Sequence, residues 1–387
     1  MKPHLERIKS INPERIQWCC DEQGITPLEL AGIIKIAQST FTGMMTGKVG
    51  ITFKQLSKIA NYFNRGVLFF LEQGPVNAAH VYTPQFRTIA NQKSNLSAKV
   101  KSIIERVERQ REAYLSLQED LGGAKIFKLD PPELPRNNPK LAASIIREWL
   151  ELKELNDFDS YRADVESKGI LVFRSNGYKG AWQIPKDDPI IGFSLYHQIC
   201  PVIVVKKQFA LSRQTFTLMH ELGHLLLHLS SRIDDEDDLY NVQEGHEQEA
   251  NAFAGSLLVP DEFLSQIYDQ DRPEDVAVYN SWLKDERKAW GVSSEVILRR
   301  LLDAGRLDQE DYKAYRRWRA DQTQYAVNKG YRLHRYGEPR HLFGNTFVST
   351  ILDSLSANKI SLNKASSYLD NLKIKDLHKL EGFYANL

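Results

Sequence analysis

The chain has 387 residues, 42% of them hydrophobic, and a formal net charge of +1. That suffices for two or three domains with proper cores and excludes a global attraction to a polyelectrolyte. No apolar run is long enough to span a membrane and no signal peptide is expected at the N-terminus. The three cysteines (Cys19, Cys20, Cys200) make no disulfide framework and point to a reducing, cytoplasmic setting.

Residues 1–75 read as a bundle of five short helices, with breaks at Gly24, Gly47, Gly50 and Asn64. Thr26-Pro27-Leu28-Glu29 is a capped helix start, with Pro in the first position and Glu where it can reach back to the cap. Ile34 and Ile36 bracket a tight turn, Ala37 to Met45 forms the next helix, and Phe53, Leu56, Ile59, Ala60 and Phe63 close the core. This segment resembles the helix-turn-helix of XRE/Cro-type repressors. The resemblance implies that Gln38, Ser39 and Thr42 face base edges of double-stranded DNA, while Thr46 and Lys48 touch phosphate. Two residues depart from the pattern: Lys35 stands in the turn in place of Gly, and Pro27 replaces the usual Gln. A left-handed Lys35 costs roughly 1 kcal/mol, so the fold tolerates it. Nine Lys/Arg against six Asp/Glu in this segment is a mild basic excess, and useful affinity calls for a homodimer. The bland reading is a bundle for protein docking or dimerisation.

Residues 76–139 connect. Pro75 to Arg87 is expected to be extended. Leu96 to Leu121 is a long helix whose apolar stripe (Val100, Ile103, Ile104, Val107, Tyr114, Leu115, Leu117) must pack on something, either a dimer partner or a domain of the same chain. Asp130-Pro131-Pro132 to Pro139 reads as a rigid linker.

The next domain, 140–270, opens with helices at Leu141–Leu152 and Tyr161–Lys168. Three short strands follow, at Gly169–Phe173, Ile191–Ser194 and Pro201–Val205. Then comes Thr217-Leu-Met-His220-Glu221-Leu-Gly-His224-Leu-Leu-Leu-His228. The four-residue spacing puts His220 and His224 on one face of a helix, where both reach one metal ion, and Glu221 projects beside it as a general base for water would. His228 reads as a structural or substrate-edge histidine, and His246 stays outside the ligand set. An acidic stretch from Asp234 to Asp238 reads as exposed. Glu247 to Leu258 is a helix stopped by Pro260, able to supply a carboxylate as third ligand. Glu247 and Glu249 face different directions; Glu247 is favoured, because Asn251 then lies one turn later to support a ligand histidine, leaving Glu249 to solvent. Residues 271–387 are helical, with Trp282, Trp290, Val296, Ile297 and Leu301 as core, and with Tyr315 and Trp318 at core spacing. The fold class is therefore α+β and mostly helical: an N-terminal bundle, a central zincin-like domain with a small sheet, and a C-terminal helical region.

The stretch Phe216 to His224, the lead-in strands, Glu247-x-x-Ala250-Asn251-x-Phe253-Ala254 and Leu257-Leu258-Val259-Pro260 together resemble the ImmA/IrrE metallopeptidases. The resemblance implies Zn2+ on His220, His224 and Glu247, with Glu221 as catalytic base. It also implies a protein substrate that is itself a regulator, a repressor or an antitoxin. The expectation is a DNA-binding regulator with a zinc endopeptidase domain. The alternative is a non-proteolytic, antitoxin-like DNA-binding regulator whose metal site is structural or a sensor.

Overall fold

The computed structural model describes residues 7–63, 65–76, 96–122, 129–135, 137–152, 157–177, 180–235, 245–322 and 335–385. It is α+β and mostly helical, with 17 α-helices among the described residues and one four-stranded sheet. The contacts group the chain into two compact units, Met1–Ser102 and Ile103–Leu387. Most of the 76–95 connection, including the stretch expected to be extended, lies outside the described residues.

The first unit holds α1 (Pro13–Glu22), α2 (Pro27–Ile33), α3 (Gln38–Met45), α4 (Phe53–Phe63) and a 3-10 turn, Val67–Phe70, where a fifth helix was expected. Its helix starts follow from local chemistry. The Asn12 side chain accepts from the Glu14 amide before Pro13 opens α1, and at α2 the Thr26 and Glu29 side chains each accept from the other's amide. Lys35 is left-handed at φ 55°, as the turn demands. Ile16, Leu30, Phe41, Leu56, Ile59 and Phe70 fill the core. Cys19 and Cys20 are buried free thiols, and burial followed by the Asp21 charge pushes the Cys20 thiol up to about 12.

In chain order the remaining helices begin with α5 (Ala98–Asp120), α6 (Pro139–Trp149) and α7 (Phe158–Ser167). The strands β1 (Leu171–Arg174), β2 (Ile190–Leu195) and β3 (Val202–Val205) then lead into α8 (Leu211–Leu227). After α8 come β4 (Arg232–Asp235) and α9 (His246–Leu258). The C-terminal part runs through α10 (Asp261–Leu264), α11 (Tyr279–Trp282), α12 (Lys284–Trp290), α13 (Ser294–Asp303) and α14 (Gln309–Asp321). It closes with α15 (Glu338–Ser356), α16 (Leu362–Tyr368) and α17 (Ile374–Tyr384).

The sheet order is β1-β3-β2-β4: β1 pairs parallel with β3, and β2 runs antiparallel to both β3 and β4. Strand β4 was not expected, because Arg-Ile-Asp-Asp carries one apolar residue and sits in an acidic run. Every residue of β1, β2 and β3 is buried, which requires cover on both faces. Helix α8 packs on β2 and β3, while α7 and α15 pack on β1. Leu218, Met219, Leu222 and Leu225 of α8 meet Phe253, Ala254 and Leu257 of α9 in one continuous core, which Tyr315 also joins.

The second half of α5 meets the C-terminal helices of its own chain. Tyr114 stacks on Phe347 at 6.2 Å, Gln118 donates to Thr350 at 2.8 Å, and Gln110 donates to the Tyr368 carbonyl at 2.9 Å. A buried charge cluster joins α7 to α15. The Arg162 guanidinium donates to the carbonyls of Val172, Arg340, His341 and Leu342 and pairs with Glu166 at 3.2 Å. Glu166 in turn accepts from the Thr346 amide.

Candidate metal centre

Helix α8 is amphipathic in an unusual sense, since the face carrying His220 and His224 is as buried as the apolar one. The reason is α9, which lies close enough that a Cβ on Gly223 would meet Phe253 at 3.1 Å and the Ala250 backbone at 3.3 Å. That approach brings the first turn of α9 over the two histidines. His220 and His224 have their Nε2 atoms 3.0 Å apart, and Glu247 Oε2 stands 3.3 Å from the first and 3.1 Å from the second. The three side chains singled out from sequence therefore converge.

A fourth joins them. Asp234, expected in an exposed acidic stretch, is 1% exposed, and its Oδ2 lies 3.4 Å from His220 Nε2 and 3.6 Å from His224 Nε2. Asp234 sits on β4, and pairing with β2 turns it inward, in register with Gly192. Asp235 faces a less buried environment, and residues 236–238 of the acidic run lie outside the described residues.

Glu221 is fully buried beside the cluster. Strand β2 passes it so closely that a Cβ on Gly192 would stand 2.7 Å from Glu221 Oε1. Burial, then the Asp234 charge, holds the Glu221 carboxyl well above the usual carboxylate range, and the Ser194 hydroxyl works against that shift. For His220 burial disfavours the charged ring, yet Asp234 and Glu247 outweigh it and lift the group to about 9. Glu247 is held well below the ordinary range: burial opposes this, and its contacts with His220 and His224 prevail.

This donor set fits a divalent ion of the zinc kind. Two imidazole nitrogens and two carboxylate oxygens lie within 4.8 Å of one another, and soft-to-borderline nitrogen with carboxylate is zinc chemistry. Asp234 Oδ2 and both Glu221 oxygens are buried without a well-formed hydrogen bond. Buried polar atoms left so are expected where a charge is to be bound.

A second group stands one turn on. His228 Nδ1 is 3.0 Å from His224 Nδ1, and His228 Nε2 is 3.0 Å from Glu249 Oε2. The His246 ring stacks on His228 at 4.1 Å. Glu249 is thus engaged by His228 rather than given wholly to solvent. Burial, followed by the neighbouring His224 and His246, takes His228 down to about 4, against the pull of Glu249. Asn251 lies one turn after Glu247 and lines a cavity with Phe216, Glu295, Arg299 and Tyr312.

Residues 166–302 match the IrrE N-terminal-like domain of the M78 peptidases. M78 peptidases are zinc-dependent, and the matched segment contains every residue of the cluster described above. The chain is also 36% identical over 94 residues to an uncharacterized immunity region protein 2 of Bacillus phage phi105. That match covers 24% of this chain and 59% of the phage protein.

In the first unit, Gln38, Ser39, Thr42, Thr46 and Lys48 are all exposed on α3 and the turn that follows it. No side chain caps the start of α3. The Thr46 hydroxyl donates to the backbone of Thr42 and Gly43. Among the described residues, no helix is long and apolar enough to cross a membrane.

Proposed function

We propose that the chain is a DNA-binding regulator whose M78 segment is a zinc-dependent endopeptidase acting on a partner regulator, a repressor or an antitoxin. The observation that carries the peptidase reading is the convergence of His220, His224 and Glu247 with a fully buried Glu221 beside them. A purely structural site needs the ligands and has no use for that carboxylate.

In this reading His220 and His224 would hold zinc through Nε2 and Glu247 through a carboxylate oxygen. When bound, the ion supplies a Lewis acid toward the scissile carbonyl and makes water acidic enough to attack near neutral pH. Glu221 takes the proton from the attacking water and passes it to the leaving amine. Were His224 Nε2 to bind the ion, its Nδ1 would carry the hydrogen and donate to His228 Nδ1, 3.0 Å away. His228 would then keep its own hydrogen on Nε2 and donate to Glu249, which would lock the ligand ring's tautomer and orientation.

Gln38, Ser39 and Thr42 are exposed at the start of α3, the end that enters a major groove in helix-turn-helix proteins, with Lys48 at hand for a phosphate. The engaged Thr46 hydroxyl leaves Thr46 the weakest of the five as a donor. Fluorescence anisotropy against duplex DNA at two salt concentrations tests this part: binding that neither falls with salt nor weakens in Gln38→Ala would remove it.

Metal content by mass spectrometry tests the centre. One equivalent of zinc is expected in the wild type and in Glu221→Gln, and substantially less in Glu247→Ala. Wild-type protein free of metal after zinc loading would leave the alternative, a non-proteolytic DNA-binding regulator.

A further inference from the structure

The peptidase reading leaves the fourth position around the ion to water, and the structure puts a side chain there. We propose that Asp234 is a fourth protein ligand, so that the resting centre is closed and the peptidase is latent until β4 moves; this rests on the zinc reading of His220, His224 and Glu247.

The first argument is geometric. A tetrahedral ion with arms of roughly 2.0–2.1 Å has donor atoms separated by about 3.3 Å. The separations here are 3.0 Å between the two Nε2 atoms, 3.3 and 3.1 Å from these to Glu247, and 3.4 and 3.6 Å to Asp234. Five of the six edges of the polyhedron thus scatter around the zinc value. Three ligands and a vacant corner would not call for a fourth oxygen at that radius.

The second argument is electrostatic. Asp234 is buried with its Oδ2 3.4 and 3.6 Å from the two Nε2 atoms, within Coulomb reach of both and at the long end of a hydrogen bond, so a cation set among the three would hold the carboxylate more closely than either ring does. A dipositive ion with two carboxylates is neutral, which suits a pocket where His220, His224 and Glu221 are all fully buried.

The backbone itself builds the position. Asp234 is in register with Gly192 of β2, and the missing side chain at Gly192 leaves room for Glu221 there. Asp234 and Glu221 are therefore neighbours by design of the sheet, one filling the water position and the other placed to serve it. Among the described residues β4 pairs only with β2, through a register irregularity between Ile190 and Gly192. Withdrawing Asp234 requires moving one edge strand and leaves the helix ligands in place.

The experiment uses the full chain loaded with Co2+, whose visible d–d bands report coordination, and acetohydroxamate as a probe for an open position. Wild type is compared with Asp234→Ala, Asp234→Asn and His220→Ala, each checked for fold by circular dichroism. The wild-type spectrum is expected to be indifferent to acetohydroxamate, while Asp234→Ala responds with a saturable shift. Zinc affinity in Asp234→Ala, by chelator competition, is expected to fall about tenfold or more, as loss of even an outer partner of a ligand does. Asp234→Asn keeps the volume and gives the same readings if the alanine variant does not fold. A wild-type spectrum that shifts with the probe as the variants do, or variants with unchanged spectrum and affinity, overturns the Asp234 assignment and leaves the peptidase centre standing. A wild type without metal, or His220→Ala retaining it, overturns the centre itself.

Discussion

Two clusters of buried charge lie in the same compact unit, and they are finished differently. Around Arg162 the guanidinium is capped by four backbone carbonyls and by Glu166, whose other oxygen accepts from the Thr346 amide. Around His220 and His224 the nitrogens converge on two carboxylates, and Asp234 Oδ2 and both Glu221 oxygens remain without a well-formed hydrogen bond. A satisfied buried cluster holds a fold together, whereas one with atoms left over awaits a charge from outside. The difference separates structure from chemistry without reference to where either cluster lies.

The strongest way to break that contrast is Glu166→Ala. It strands Arg162 without its counter-charge and is expected to cost about 3–5 kcal/mol in urea unfolding, while zinc bound per folded molecule stays the same. Loss of zinc without loss of stability would reverse the roles assigned to the two clusters.

A smaller effect sharpens the other side. His228→Phe removes the acceptor facing His224 Nδ1 and is expected to weaken zinc about 10–100-fold in chelator competition, with stoichiometry unchanged. Should His228 with His246 and Glu249 instead hold an ion of its own, zinc would drop from two equivalents to one.

The smallest effect is one of pH. Burial, then the charges of Arg174, Lys207 and Arg162, depress His341 to about 2. Its native pKa lies below the unfolded value, so the unfolded chain binds the extra proton first. The stability this ring contributes is complete above about pH 6.5 and is lost as pH falls below that. Between pH 7 and pH 5 the loss is about 1–2 kcal/mol, read as a lower urea midpoint, and His341→Gln should abolish that part of the slope. A midpoint equally steep in the variant would assign the acid sensitivity to other groups.

Much of the candidate site was legible because it is helical. The spacing of His220 and His224, the stop at Pro260 and the face shared by Glu247 and Asn251 are local, and a period of 3.6 residues carries them. Lys35 in the left-handed region was legible only through the resemblance to XRE/Cro-type repressors, whose turns carry Gly at that place. Asp234 was not, because an acidic run reads as solvated and only pairing with β2, some forty residues earlier, turns this residue inward. Nor was the partner of the α5 stripe, since Gln118 and Thr350 are separated by 232 positions. Periodicity says that a face is buried and is silent on what covers it.

The two margins of the sheet have unequal neighbours. Strand β1 is paired with β3 and packed under α15, whereas β4 is paired with β2 alone among the described residues. In deuterated water the amides of β3, bonded on both sides, should exchange only through global unfolding, and those of β4 through local opening at lower free energy. The order in which the strands take up label would then run from the margin that carries Asp234 inward, so the sheet's least durable strand would be the one that lends a carboxylate to the histidine cluster.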